Sequence, residues 1–298
     1  MTPGVRLFVG SQGATIRGER VDLDGDRCFT PVHRLDAVAD PSRVTVLLDS
    51  GAFTDSPRAR LTPDAALDRQ LRWEAKASET WGASWQSYAL VSYDLLIDET
   101  WTTDDIRVKR RWSVRDADRA VRETIDAAAY LASRRADLAP RVPVLACQGV
   151  DPLQYAECAA EILRYAQPGD WLGLGGWCIL GRYTRLLPIF WTTLYSVLPL
   201  VAYAGVRHIH IFGVMWQRAL GGLLWIADRH GLTVSTDSSA PILACTRANT
   251  KKAGCRHPYW RENVRILTDE LANLRSSRWY AEPPRIQAVR QLELVEAS

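Results

Sequence analysis

Short runs of β-favouring apolar residues, each ending on a polar residue or a glycine, recur along the chain. The clearest is Thr45-Val46-Leu47-Leu48-Asp49-Ser50-Gly51-Ala52-Phe53, in which an apolar run delivers a carboxylate to a small-residue turn. Val91-Ser92-Tyr93-Asp94, Val144-Leu145-Ala146-Cys147-Gln148-Gly149, Trp171-Leu172-Gly173-Leu174-Gly175-Gly176, Ile209-His210-Ile211-Phe212-Gly213 and Thr233-Val234-Ser235-Thr236-Asp237 repeat the pattern. Each reads as a buried strand with a polar or glycine tip. Helical signals separate most of them. Thr62-Pro63-Asp64 opens a helix to about residue 80, Ser113 caps one to about 138, and Asp151-Pro152 starts one to about 166. Another, 216–230, stops at Gly231. Alternating strands and helices predict a parallel sheet, and polar tips at the strand C-termini predict one shared pocket.

The fold class that follows is α/β, a (β/α)8 TIM-type barrel. Seven strands are clear, the six above and a first one at residues 6–10, and an irregular one falls in residues 28–35. The barrel is expected over about 5–255, with a short C-terminal helical extension and tail over 256–298, all in one domain. The 298 residues suffice for a barrel, which typically needs about 250. A hydrophobic content of 47% supports a full core and excludes a disordered chain. Residues 186–205 carry no charge and are long enough to span a bilayer. Pro188, Thr192, Thr193, Tyr195, Ser196, Pro199 and Tyr203 interrupt the stretch, which lies in line between two strands, so it reads as a buried barrel helix. No membrane association is expected.

A net charge of +3 does not by itself announce a nucleic-acid partner. Six cysteines are scattered without a Cys-x-x-Cys pair, and the N-terminus lacks the layout of a signal peptide. Reduced thiols and a cytoplasmic location are the expectation.

Asp49 and Asp237 are the leading chemical pair. Two carboxylates at strand ends in one barrel mouth can divide the work of nucleophile and general acid/base, because repulsion and burial push their proton affinities apart. The plainer reading is that each caps a helix or tightens a turn. Ser238, Ser239 and Pro241 can start the next helix themselves, which leaves Asp237 unneeded as a cap. His208 and His210 share one strand face, a spacing that can bind metal, but further ligands at other strand ends are missing and packing is preferred. Cys245, Cys255 and His257 are candidates for a structural zinc. Their spacing matches no finger pattern and lacks an evident fourth ligand, so partly buried thiols are the alternative. Lys109-Arg110-Arg111-Trp112 sets cations beside an aromatic, suited to phosphate contact and base stacking, although such a run is usually a solvated loop. Trp177, directly after Gly175-Gly176, sits where a flat ligand can lie.

In this order the strand ends resemble the tRNA-guanine transglycosylase superfamily, and within it the DpdA-type enzymes that insert 7-deazaguanines into DNA. Asp49-Ser50-Gly51-Ala52-Phe53 resembles the family's Asp-Ser-Gly-Gly-Phe motif, with Ala52 replacing a glycine. Asp94 resembles its base-reading aspartate, Gln148-Gly149 its Gln-Gly signature, and Gly175-Gly176-Trp177 its Gly-Gly-Leu segment. Phe212-Gly213-Val214 resembles its Met-Gly-Val stretch, and Asp237 its nucleophile. The likeness spans about residues 45–241. The Cys-x-Cys-x-x-Cys zinc subdomain of the tRNA enzymes is absent from the sequence, as is an obvious appended RNA-binding domain, which favours DNA over tRNA.

The resemblance implies a pentosyltransferase that replaces guanine in DNA with a 7-deazaguanine, 7-cyano-7-deazaguanine by likeness alone. Asp237 would attack the sugar, Asp49 would relay the proton, and Asp94, Gln148, Gly149, Gly175, Gly176, Trp177 and Gly213 would hold the base. Lys109, Arg110 and Arg111 would touch the nucleic acid. No cofactor is required, the free deazapurine is a second substrate, and proteins that open the duplex would be partners. A tRNA-directed transglycosylase, a metal-dependent barrel hydrolase using His208 and His210, and a non-catalytic nucleic-acid-binding barrel are the alternatives.

Overall fold

Eight runs of the chain become eight parallel strands. They are β1 (Val5–Gly10), β2 (Gly25–Phe29), β3 (Val44–Leu48), β4 (Ala89–Val91), β5 (Val142–Cys147), β6 (Trp171–Leu174), β7 (His208–Ile211) and β8 (Thr233–Ser238). Each pairs with its chain neighbours, and β8 returns to β1 to close the barrel, with Phe8 opposite Asp237. The computed structural model describes residues 4–10, 15–16, 19–20, 25–32, 41–55, 60–82, 85–95, 114–181, 183–246 and 255–284. The chain is an α/β protein of TIM-barrel type.

Helices α1 (Pro63–Trp81), α2 (Val114–Ser133), α3 (Pro152–Leu163), α4 (Leu187–Tyr203), α5 (Gln217–Arg229), α6 (Ala240–Thr246) and α7 (Trp260–Ala272) surround the strands. Their starts follow local chemistry. Pro63 and Pro152 take first-turn positions, where a missing N–H costs nothing. The Asp151 side chain accepts from Gln154 N at 2.8 Å as a helix cap. Gly231, at φ 64°, turns the chain from α5 into β8.

Side chains alternate between two apolar regions, as strand geometry requires. Phe8, Cys28, Leu47, Ala89, Val91, Val144, Ala146 and Trp171 fill the barrel interior. A larger core lies between strands and helices, and it takes most of the tryptophans. Trp81 and Trp85 meet edge to face at 4.7 Å, with Trp73 and Phe29 beside them.

Three expectations change. The second strand lies at Gly25–Phe29 rather than within 28–35. It was hard to see because it begins Gly25-Asp26-Arg27, yet Arg27 is fully buried with its guanidinium 5.4 Å from the Phe29 ring. Strand β4 ends at Val91, so Ser92, Tyr93 and Asp94, read as part of that run, lie beyond it. The last helix, α7, is part of the outer layer rather than an appendage. It packs on β1, and Gly4 N donates to Ala272 O at 2.9 Å.

The uncharged segment forms α4. Residues Thr184–Tyr203 are long and apolar enough to cross a membrane, and half of that window is buried. Phe190, Trp191, Leu194, Val197, Leu198 and Val201 are buried, and the helix packs against α3 and α5, the position of a barrel helix.

Candidate active site at the C-terminal ends of the strands

Strand β3 carries Asp49 to the C-terminal mouth, where its N–H donates to Phe29 O at 2.7 Å. The next residues fold back over the carboxylate, and Ser50 N donates to Asp49 Oδ1 at 2.7 Å. Gly51 sits at φ 78°, a left-handed conformation that a side chain would strain. This turn is pinned by Arg69 of α1, which donates to Ser50 O at 2.6 Å and to Asp55 Oδ1 at 2.8 Å. Gln70, also on α1, donates to Leu48 O and Val91 O, tying the ends of β3 and β4 together.

Asp94 follows β4. Arg60 Nη2 donates to its backbone carbonyl at 2.8 Å, and Gln148 Nε2 donates to its carboxylate. Gln148 is fully buried at the end of β5, with its amide against Gly175 beyond β6. A Cβ at Gly175 would stand 1.9 Å from Gln148 Nε2, so only glycine leaves the amide its place. Tyr155 OH donates to Gly175 O at 2.6 Å, and its ring leaves no room for a Cβ at Gly149. Residues 148, 149 and 175 therefore interlock beside Asp94.

Asp237 ends β8 with its side chain 20% exposed. Its Oδ1 lies 3.2 Å from His210 Nε2 and accepts from Gly213 N at 3.0 Å. Gly213 turns at φ 71°, which aims its N–H at the carboxylate. Both contacts engage Oδ1, and Oδ2 takes part in neither.

The carboxylates sense one another. The Asp49 pKa is pushed up to about 7, first by burial, then by the charges of Asp94 and Asp237, against hydrogen bonds from Ser50 and Gly51 N–H. Burial also raises Asp94, while Gln148 and Arg60 act against it. The Cys28 thiol is pushed well up by burial and by the charges of Asp237 and Asp49. An acid near neutrality beside other carboxylates can give and take a proton at physiological pH.

The structure thus brings Asp49, Asp94, Gln148, Gly175, Gly213 and Asp237 to one mouth. Gly176, at φ 79°, turns the chain away from β6. Trp177 departs from expectation. It is fully buried, stacked on Tyr155 at 5.4 Å and against Phe190 at 4.9 Å, and belongs to the core rather than to a ligand surface. Lys109, Arg110, Arg111 and Trp112 lie outside the described residues, as does the Cys245 side chain. Cys255 is half-buried with Sγ 3.5 Å from His257 O, and His257 Nδ1 accepts from Tyr259 N. No group of three or more His, Cys, Asp or Glu is placed to hold a metal ion among the described residues. Both ring nitrogens of His208 and of His210 lie within hydrogen-bonding distance of Thr233, Ser235 or Asp237.

Sequence reasoning missed Cys28, Arg69 and the role of His210. His210, Phe212 and Gly213 precede a turn opposite Asp237, and period-two alternation on neighbouring strands was the available signal for His210. The sequence matches no protein-family model and no curated protein at a significant level.

Proposed function

We propose that the chain is a base-exchange glycosyltransferase that replaces guanine in DNA with a 7-deazaguanine. The observation that carries this reading is the arrangement of Asp237 and Asp49 in one barrel mouth. Asp237, partly exposed, has Oδ1 held by Gly213 N–H and His210 Nε2 while Oδ2 is outside both contacts, and Asp49 has its pKa raised to about 7. The likeness of six strand-end motifs to guanine transglycosylases supports the same conclusion, and the missing Cys-x-Cys-x-x-Cys segment favours DNA over tRNA.

A guanine enters the mouth after leaving the stack, or from single-stranded DNA. Asp237 Oδ2 attacks the sugar C1′, the C1′–N9 bond breaks, and its electron pair stays on the base. Asp49 supplies the proton that the leaving base takes up. The incoming deazapurine then gives a proton back to Asp49 and attacks C1′, which releases Asp237. Two displacements retain the anomeric configuration, the logic of retaining glycosidases. Proton transfer of this kind contributes roughly 10²–10⁴ in rate. Asp94 and Gln148, with the backbone around Gly175, offer donors and acceptors to a purine edge.

Mass spectrometry of nucleosides from DNA and tRNA of cells expressing the chain, supplied with a deazapurine, tests the proposal. Deazaguanosine in DNA is the expected result. The modification in tRNA alone moves the assignment to the tRNA branch, and neither product removes it.

A further inference from the structure

His208 and His210 on β7 and Ser235 and Asp237 on β8 make one continuous chain of contacts along the barrel axis. Thr233 Oγ1 lies 2.7 Å from His208 Nδ1, and His208 Nε2 lies 2.6 Å from Ser235 Oγ. Ser235 Oγ is 2.8 Å from His210 Nδ1, and His210 Nε2 is 3.2 Å from Asp237 Oδ1. His210 and Ser235 are fully buried. The opposite end opens into a cavity of about 360 Å³ at the strand N-termini, lined by Arg6, Tyr88, Trp171, Arg207, His208 and Thr233. Base exchange by Asp49 and Asp237 makes no use of this end of the barrel.

A neutral imidazole has one donor and one acceptor nitrogen, and a hydroxyl donates one proton, so each link restricts the next. With Asp237 ionised, all donors point towards it. Thr233 donates to His208 Nδ1, His208 Nε2–H to Ser235, Ser235 to His210 Nδ1, and His210 Nε2–H to the carboxylate. An added proton at the Asp237 end forces a proton onto His210 Nδ1, which turns Ser235 round and moves the His208 proton from Nε2 to Nδ1. Thr233 then donates to Arg207 O, 3.0 Å away.

We propose that His208, Ser235 and His210 form a proton wire joining Asp237 to solvent at the N-terminal cavity. A proton from water binds His208 Nδ1, and the Nε2 proton passes to Ser235. Ser235 passes its own to His210 Nδ1, and the His210 Nε2 proton reaches Asp237. Only N–H and O–H bonds form and break, and the reverse run discharges the carboxyl to the cavity. The wire gives the carboxylate a route for proton exchange while a polynucleotide covers the mouth. That purpose rests on the proposed function, whereas the coupling of the two histidines does not.

Several charged or titratable groups face the wire. Arg6, paired with Asp26, and Arg207, Tyr88 and Asp170 surround its outer end. Asp49, Asp94 and Cys28 lie around its inner end. His208 is lowered to about 3 by burial and then by the charges of His210 and Arg6, which keeps its ring neutral and able to exchange tautomers.

Ring ¹⁵N spectra of the full chain with labelled histidine test the wire, with assignments from His33→Gln, His230→Gln, His257→Gln and His208→Gln, the last of which tells His208 from His210. At a pH where the Asp237–His210 pair holds no extra proton, both His208 and His210 are expected as Nε2–H tautomers. On acidification His208 is expected to change to mainly Nδ1–H at the same midpoint at which the pair takes up its proton. In Ser235→Ala that coupling is expected to vanish. A His208 tautomer that stays fixed while His210 changes, or that follows it equally in Ser235→Ala, overturns the wire. If Ser235→Ala does not fold, the coincidence of midpoints in the wild-type chain decides. No exchange activity is read, so the result stands apart from the transglycosylase reading.

Discussion

His210 Nε2 lies 3.2 Å from Asp237 Oδ1, from a fully buried imidazole to a partly exposed carboxylate on the neighbouring strand. The contact holds Oδ1 of Asp237, and Gly213 N donates to the same oxygen at 3.0 Å. The orientation of the proposed nucleophile is therefore a property of two strands and one glycine, independent of any bound substrate.

Gly213→Ala tests the glycine. A Cβ there would lie 2.6 Å from Cys178 Cβ, and the backbone is at φ 71°. The turn must shift and withdraw its N–H from Asp237. Loss of one positioned donor costs about 10²–10³ in turnover, and backbone strain adds about 1–3 kcal/mol of destabilisation. Steady-state exchange and chemical denaturation measure the two effects, and an unchanged turnover counts against this orienting role.

Asp49 sets a pH signature. Its folded pKa of about 7 lies above the ordinary 3.8, so between these values the native state holds a proton that the unfolded chain releases. Its stabilising contribution is fully present at lower pH and is lost as pH rises through about 7. Asp49→Asn is expected to be more stable than wild type at pH ~8, by about 1–3 kcal/mol, with the gap closing below pH ~4. Denaturation at both pH values checks the sign. The same variant should lose the ionisation near neutrality in the pH–rate profile of exchange.

Gln148 and Gly175 act as one unit. Gln148→Ala removes the donor to Asp94, and Gly175→Ala would push the amide aside because the new Cβ falls 1.9 Å from Nε2. Each is expected to weaken binding of the free base about 10–100-fold, the equivalent of roughly 1.4–2.8 kcal/mol. Calorimetric titration with the deazapurine measures it, and affinities within twofold of wild type would remove Gln148 from the base pocket.

The barrel was legible because each strand declares itself by an apolar run with a marked end, and helix starts carry Pro and Asp signals that need no tertiary context. Strand β2 was not, since Arg27 is buried against Phe29 and a charged residue breaks the apolar pattern on which a sequence reading depends. Asp49, Asp94, Gln148 and Asp237 could be named in advance because each lies at or just beyond the C-terminal end of an apolar run. Trp177 was misplaced because Gly176 turns the chain at φ 79° and sends the indole into the core beside Tyr155. The His210 contact depends on how β7 and β8 register, with His210 opposite Ser235, and no single stretch of sequence contains that information.

The central claim is that Asp237 bonds to the sugar carbon. Intact-protein mass spectrometry after incubation with guanine-containing DNA and rapid acid quench, followed by peptide mapping, measures this directly. A mass increase mapped to the peptide carrying Asp237, chased by added deazapurine and lost in Asp237→Asn together with at least about a 10³-fold fall in exchange, is the predicted result. Exchange by Asp237→Asn at the wild-type rate, or an adduct on another residue, would contradict it.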